Sequence, residues 1–133
     1  MSPIRHALAR SLTAGAVAAL GILVAACAPS GSATPAGSPP EGSIAVTATD
    51  FKFDPSAITT KAGETTFVVT NKGAVEHEFE IFKGETVVDE VEGLVPGLTR
   101  ELTVTLDAGD YTYVCKLAGH EEAGMTGTLT VTN

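Results

Sequence analysis

Four residues in the C-terminal three quarters of the chain have side chains that bind soft metal ions. Three of them lie within eleven residues, in the spacing Cys115-x4-His120-x4-Met125, and the fourth is His77. After residue 27 the chain contains no other cysteine, histidine or methionine. A thiolate, an imidazole and a thioether on one short connection, with a second imidazole from elsewhere in the chain, form a complete set of metal ligands.

Each of these residues also has an ordinary structural interpretation when it is taken alone. Cys115 and Met125 would pack as core side chains, His120 beside two glutamates would be a solvated loop residue, and His77 would be a half-buried core histidine. Their combination favours a metal site instead. Thiolate and thioether ligands select copper, and two histidines and a cysteine with a weak axial methionine are typical of a blue-copper electron-transfer site. We therefore expect one copper per chain, bound by His77, Cys115, His120 and Met125.

The elements that must position these residues have a period of two. Apolar and polar residues alternate from residue 44 to 49, from 101 to 106 and from 128 to 132, and further strands are predicted at 65–70, 77–82, 86–90 and 111–115. Turn signals containing glycine or proline separate these segments, and no stretch has a convincing helical period. The pattern predicts an all-β fold, an antiparallel β-sandwich or closed barrel.

The parity of two strands predicts where the ligands point. His77 shares a face with the apolar Phe79 and Ile81, while Cys115 shares a face with Tyr111 and Tyr113. Because the apolar face of a strand is the buried one, both ligands should point inward, at the ends of their strands.

The N-terminal segment reads as a targeting sequence followed by a tether. Residues 1–26 have a basic start and a short apolar run typical of a secretory signal, and residues 24–27 resemble the lipobox of bacterial lipoproteins, in which Cys27 is lipidated. The run is short for a membrane span. Residues 27–42 are rich in Pro, Ser and Gly and predict a flexible tether, so the folded domain should be residues 43–133. We expect an extracytoplasmic domain anchored to the membrane through Cys27, which leaves Cys115 without a disulfide partner.

The charge of the chain excludes some classes of partner. The net charge is −8, and cleavage before Cys27 would remove two of the eight basic residues and none of the sixteen acidic ones, giving −10. This charge disfavours nucleic acid as a partner and suits a soluble domain that meets a basic protein. We expect the protein to be a monomer.

Several segments resemble the plastocyanin/azurin cupredoxin family. They are residues 50–55 (DFKFDP), 71–79 (NKGAVEHEF), 109–115 (GDYTYVC) and 119–131 (GHEEAGMTGTLTV). The resemblance implies a Greek-key β-sandwich of about eight strands with copper near one end, which passes single electrons between Cu(I) and Cu(II). It assigns His77 as the upstream histidine, Cys115 as the thiolate, His120 as the downstream histidine and Met125 as the axial ligand.

This chain differs from several family members at the residue directly after the upstream histidine. Those members have a small polar residue there, whereas this chain has Glu78. We expect the Glu78 N–H to reach the Cys115 sulfur still, and its carboxylate to lower the reduction potential.

The ligand set predicts an electron carrier rather than an enzyme or a binder of small-molecule substrates. Four protein ligands leave no open position for a substrate. We expect His120 to be the route for the electron, with Leu94, Val95 and Pro96 completing an apolar docking patch. Glu121 and Glu122 would steer a redox partner such as a cytochrome or a copper oxidase. The alternative is an envelope copper-binding, delivery or storage protein without a redox partner.

Overall fold

The computed structural model describes residues 39–133, and these residues form nine strands. The predicted signal sequence, Cys27 and most of the tether lie outside the described residues. The nine strands are β1 (Ile44–Thr49), β2 (Lys52–Asp54), β3 (Ala57–Lys61), β4 (Gly63–Asn71), β5 (His77–Lys83), β6 (Thr86–Leu94), β7 (Thr99–Leu106), β8 (Gly109–Val114) and β9 (Thr126–Thr132). Within the described part of the chain, no helix is long and apolar enough to cross a membrane.

The strands form a Greek-key β-sandwich, which confirms the predicted fold class. One sheet has the order β2-β1-β4-β7 and the other the order β3-β9-β8-β5-β6. The chain passes from one sheet to the other at five connections, so strands that are neighbours in sequence mostly lie in different sheets. Such long-range pairing closes a core between the two sheets.

The sheets are mixed rather than antiparallel, so this detail of the prediction was wrong. β1 pairs in parallel with β4, and β3 pairs in parallel with β9. The alternation of apolar residues fixes which face of a strand is buried, but it carries no information about the direction of the neighbouring strand. The count also differs from about eight strands, because the short strands β2 and β3 flank the predicted turn at Asp54 and Pro55.

The core contains a cluster of aromatic side chains whose rings meet edge to face or tilted. Phe53 packs with its ring centroid 5.5 Å from both Phe79 and Tyr113, and Phe67 lies 5.6 Å from Phe79. Aromatic pairs at such distances contribute beyond the area that they bury. Phe79 and Tyr113 lie on β5 and β8, the two strands that carry His77 and lead to Cys115, so this cluster fixes the strands that position the candidate ligands.

A glycine on β9 makes room for Tyr113. Gly127 lies opposite Tyr113 in the β8–β9 pairing, and a Cβ atom at this position would collide with the Tyr113 ring. The Tyr113 hydroxyl crosses the core and donates a hydrogen bond of 2.6 Å to the carbonyl of Pro55. Burial raises the pKa of Tyr113 to about 12, with a smaller contribution from Asp54. The ring therefore ties the β2–β3 turn to the strand that ends at Cys115.

Candidate metal centre

His77 is the first residue of β5, and the connection that precedes it is held by one buried amide. The Asn71 side chain donates hydrogen bonds to the carbonyls of Val75 (2.8 Å) and Leu94 (2.6 Å), and it accepts one from the Gly73 N–H (2.8 Å). Asn71 is fully buried, and a buried polar side chain is stable only when it is paired in this way. These bonds fix the path of the chain from β4 to His77.

The predicted inward direction of His77 is confirmed. Its side chain has 0% exposure, and its partner in the sheet is Leu94, the last residue of β6. Leu94 is itself fully buried, so its predicted place in an exposed docking patch was wrong. Strand β6 extends four residues beyond its predicted end, because Leu94 completes the pairing with β5 and closes the core behind His77.

Cys115 follows the last residue of β8 and is fully buried, as its parity predicted. Its N–H donates to the carbonyl of Met125 at 3.1 Å, so the two ends of the ligand loop are joined. Within the loop the N–H of Met125 donates to the carbonyl of His120 at 3.0 Å. Gly119 and Gly124 have φ angles of 84° and 100°, which side chains of other residues rarely permit. The loop is therefore a self-contained series of turns.

Three of the four predicted ligands converge. The Nδ1 atoms of His77 and His120 are 3.3 Å apart, and Nδ1 of His120 is 3.3 Å from Sγ of Cys115. The three residues form a group whose ligand atoms all lie within 4.8 Å of one another. Metal–sulfur and metal–nitrogen bonds are about 2.0–2.3 Å long, so these atoms are close enough to share one ion. The donor set, two imidazoles and a thiol, fits a soft or borderline transition metal.

Met125 has 0% exposure and lies in the core, at the point where the ligand loop rejoins β9. Its backbone contacts both Cys115 and His120, which places the residue at the base of the loop. Its role as an axial ligand stays a prediction.

Burial and hydrogen bonds act in opposite directions on the pKa of the Cys115 thiol. Burial raises the pKa of the Cys115 thiol, while the backbone N–H groups of Glu78 and Leu117 act in the opposite direction. The N–H of Glu78 lies 3.3 Å from the sulfur, which confirms that this contact survives with glutamate after the histidine. The Glu78 carboxylate is a smaller influence that also raises the pKa of the thiol. A metal ion at this position would displace the thiol proton on binding.

His77 is arranged to stay neutral. Burial lowers the pKa of its imidazole, and the neighbouring His120 lowers it further, while Asp50 partly offsets both effects. A neutral imidazole has a free lone pair for a metal, so this shift favours the form of the side chain that ligates.

Two residues beside the histidines were not predicted as part of the site. Asp50 Oδ1 lies 3.6 Å from Nε2 of His77, and the Phe51 ring meets the His120 ring edge to face with centroids 5.0 Å apart. Both residues belong to the turn between β1 and β2, and Phe51 has a φ of 67°. The positions of Asp50 and Phe51 in the sequence do not indicate a role in the site, because the β1–β2 turn comes close to the histidines only in the folded sandwich.

Two exposed apolar side chains lie close in sequence to His77 and to its strand partner Leu94. His120 is partly exposed, and Val75 and Val95 have 41% and 45% exposure. Pro96, Glu121 and Glu122 are also exposed, and their role in docking stays a prediction. One difference from the expected charge pattern is that Glu121 is paired with Lys116, at 2.6 Å.

The fold and the His-Cys-His group define a cupredoxin-type β-sandwich, and comparison with known families agrees. A family model described as a cupredoxin-like domain matches residues 16–131. The chain therefore belongs to the cupredoxin-like domain family, as the resemblance predicted.

The chain is also similar to part of a larger curated protein. It is 38% identical over 86 residues to the iron uptake system component EfeO of Yersinia pestis, an alignment that covers 65% of this chain and 23% of that protein. The EfeO protein of Escherichia coli K12 is 39% identical over 74 residues, which cover 56% of this chain and 20% of that protein. The chain thus matches about a quarter or less of the length of these relatives.

Solved structures with the same fold include auracyanins. Reduced auracyanin from Roseiflexus castenholzii has a TM-score of 0.65 and 20% identity, and the match covers 69% of this chain and 98% of that one. Auracyanin A from Chloroflexus aurantiacus, described as a blue copper protein, has a TM-score of 0.56 and 23% identity, with 66% and 99% covered. At these identities the comparison establishes the fold.

Proposed function

We propose that this protein is a type 1 copper protein that carries single electrons, with one copper bound by His77, Cys115, His120 and Met125. The observation that carries the proposal is the convergence of two histidine Nδ1 atoms and a buried cysteine sulfur within 4.8 Å. Two imidazoles and a thiolate, completed by a weak axial thioether, are the ligands of blue-copper centres. Copper in this site would supply a one-electron couple between Cu(I) and Cu(II).

The chain contributes a site that is mostly buried and held by backbone hydrogen bonds. His77 and Cys115 are fully buried, and backbone hydrogen bonds hold both ends of the ligand loop. The hydrogen bond from Glu78 orients the sulfur and stabilises its negative charge. Since four protein ligands leave no open position, the site suits an electron carrier rather than an enzyme.

His120 is the proposed route for the electron, because it is the partly exposed member of the group. The exposed apolar side chains Val75, Val95 and Phe51 provide a surface on which a redox protein can dock. The net charge of −8 favours a partner with a basic surface, such as a cytochrome or a copper oxidase, through steering that weakens with salt.

The optical spectrum of the copper-loaded protein tests this proposal. The wild-type protein should show an intense visible band from charge transfer between the Cys115 thiolate and Cu(II), and Cys115→Ser should lose it. The matched control is Cys27→Ser, which removes the other cysteine of the chain and should keep the band. A wild-type spectrum without the band, or a band that survives Cys115→Ser, would contradict the assignment.

An envelope copper-delivery or storage role is the main alternative, and redox behaviour separates it from electron transfer. An electron carrier should give reversible voltammetry and lose copper slowly to a chelator, because its ligands are buried. A delivery protein should bind Cu(I) and release it readily to an acceptor protein.

A role in iron uptake is a second candidate, favoured by the similarity to EfeO. In this case the oxidised protein would accept one electron from Fe(II) and leave Fe(III). Mixing the Cu(II)-loaded protein with Fe(II) should then bleach the visible band with a stoichiometry of one iron per copper. No bleaching over the time in which ascorbate reduces the protein would exclude Fe(II) as the donor.

We further propose that the protein is extracytoplasmic and anchored through a lipid on Cys27, with residues 27–42 as the tether. The sequence of residues 1–27 supports this proposal. Intact-mass measurement of the protein from the membrane fraction tests it. A mass that includes acyl chains, absent from Cys27→Ser, is expected, and an unmodified Cys27 would contradict the proposal.

A further inference from the structure

The buried His77 imidazole has one nitrogen whose role the metal site does not explain. Its Nδ1 atom faces His120 and Cys115, while Nε2 points away from them. Nε2 is fully buried and makes no hydrogen bond within the usual distance among the described residues. A buried N–H without an acceptor destabilises the folded state, so this atom requires an explanation.

The ligand role of Nδ1 decides which nitrogen carries the proton. A neutral imidazole has one N–H, and an Nδ1 atom that binds a metal must be free of it. The proton then lies on Nε2, which becomes a buried donor. Metal-bound histidines commonly donate this second N–H to a carboxylate or a carbonyl.

Asp50 is placed to accept a hydrogen bond from this N–H. Its Oδ1 atom lies 3.6 Å from Nε2 of His77, slightly beyond hydrogen-bond length, and this is the one carboxylate within 4 Å of His77 among residues 39–133. The same oxygen accepts the N–H of Ala74 at 2.9 Å, which holds the carboxylate against the connection that leads to His77. The Asp50 side chain has 44% exposure, so the carboxylate reaches solvent as well as the buried imidazole.

Gly73 leaves the space in which these groups meet. A Cβ atom at Gly73 would collide with Asp50 Oδ1 and would lie 2.9 Å from Nε2 of His77. The φ angle of Gly73 is not in the left-handed region, so backbone conformation does not demand glycine here. Glycine is required at position 73 because the Asp50 carboxylate and the His77 imidazole approach each other there.

We propose that Asp50 is a positioning residue, whose carboxylate accepts the Nε2–H of His77 and so holds the tautomer that presents Nδ1 to Cys115 and His120. The consequence for copper rests on the proposed function. The tautomer is a property of the metal-free protein, so it can be tested separately. A purely structural role for Asp50, in which it only anchors Ala74, is the competing explanation.

Nitrogen-15 NMR of the metal-free protein at about pH 8, where histidine is neutral, reports the tautomer directly. The wild-type protein should have His77 protonated at Nε2, with slow exchange of that proton. Asp50→Asn keeps an oxygen for Ala74 but removes the charge, so exchange should quicken by about tenfold and the other tautomer should appear. Asp50→Ala should have a larger effect. Asp107→Asn, at an exposed aspartate after the end of β7, is the control and should match the wild type.

Copper affinity gives a second readout. Asp50→Ala should weaken copper binding by about 10- to 100-fold, the range found when the partner of a ligating histidine is removed, and Asp50→Asn should weaken it less. The reduction potential of Asp50→Asn should rise, because a negative charge beside the site is lost.

The outcomes separate the competing accounts. Tautomer and exchange rate unchanged in both Asp50 variants would overturn the proposal. A change in Asp50→Ala alone would assign Asp50 to anchoring Ala74, and would also overturn it. If the wild-type protein shows the Nε2–H tautomer but no blue-copper spectrum, then the proposed function fails while the role of Asp50 stands.

Discussion

Two connections bring ligands to the same place by different physical means. The loop from Cys115 to Met125 folds on itself, with backbone hydrogen bonds between its own residues and two glycines at positive φ. The connection from Asn71 to His77 has internal hydrogen bonds from the Asn71 side chain, but it is also tied to two other parts of the fold. The Asn71 amide donates to the carbonyl of Leu94, and the Ala74 N–H donates to Asp50 in the β1–β2 turn. The first connection is local structure, and the second depends on the assembled sandwich.

This difference decides how each connection should respond to substitution. A change at an exposed position of the Cys115–Met125 loop should remain local, since the backbone hydrogen bonds of the loop join its own residues. A change in the Asn71–His77 connection should also affect β6 and the β1–β2 turn, because hydrogen bonds join the connection to Leu94 and to Asp50. The two connections can therefore be compared by pairs of matched variants.

Asn71→Ala should have the largest effect on stability. It removes three hydrogen bonds and leaves the buried carbonyl of Leu94 without its partner, so we expect a loss of about 3 kcal/mol in the free energy of unfolding. Chemical denaturation measures this loss. Asn133→Ala, at the exposed last residue, is the control and should change stability by less than about 0.5 kcal/mol. A loss below about 1 kcal/mol for Asn71→Ala would mean that the buried amide does not hold this connection.

Alanine substitutions at Gly73 and Gly119 should separate two effects. The first is a steric contact that weakens copper binding, and the second is backbone strain that lowers stability. Gly73→Ala places a methyl group against Asp50 and His77, so it should weaken copper binding by at least about tenfold. Gly119→Ala has open space around its Cβ and a φ of 84°, so it should cost about 1–2 kcal/mol of stability through strain. Competition with a chelator and thermal unfolding measure the two effects. If Gly119→Ala weakened copper binding more than Gly73→Ala, the contrast between the connections would be wrong.

Tyr113 provides a pH test of the strand that both connections depend on. Its pKa is raised by burial to about 12, so the neutral ring stabilises the folded state below the ordinary tyrosine pKa. This contribution should be lost as the pH rises from about 10, the unfolded value, through about 12. Denaturation at several alkaline pH values should show stability falling steeply in this window.

The tyrosine control is close by in the same strand. Tyr113→Phe should remove the alkaline dependence and cost about 1 kcal/mol at neutral pH through loss of the hydrogen bond to Pro55. Tyr111→Phe should keep the dependence. If the free energy of unfolding still falls with alkaline pH in Tyr113→Phe, then the titration of another group causes the fall.

Much of the site could be predicted from sequence, because the spacing of ligands in one loop and the alternation along one strand are visible in short segments of the chain. The spacing of Cys115, His120 and Met125 and the alternation around His77 identified three residues that the structure brings together. Asp50, Gly73 and Asn71 could not be found in this way, because their roles depend on which strands become neighbours. Leu94 was misplaced for the same reason, since only the pairing of β5 with β6 shows that it is buried. The parallel pairs in each sheet likewise leave no trace in a period of two.

The smallest effect is expected on the exposed side of the ligand loop. The ion pair between Lys116 and Glu121 lies at the surface, where water screens it. Lys116→Ala should leave both the visible spectrum and the thermal midpoint unchanged within error. A clear change in the spectrum would show that the loop depends on its side chains as well as on its backbone.

X-ray absorption at the copper edge tests the central claim most directly, because it identifies the atoms bound to the metal. The copper-loaded protein should show one short bond to sulfur and two bonds to imidazole nitrogen, from Cys115, His77 and His120. Cys115→Ser should lose the sulfur and keep both nitrogens. A wild-type spectrum with only oxygen and nitrogen ligands would contradict the account.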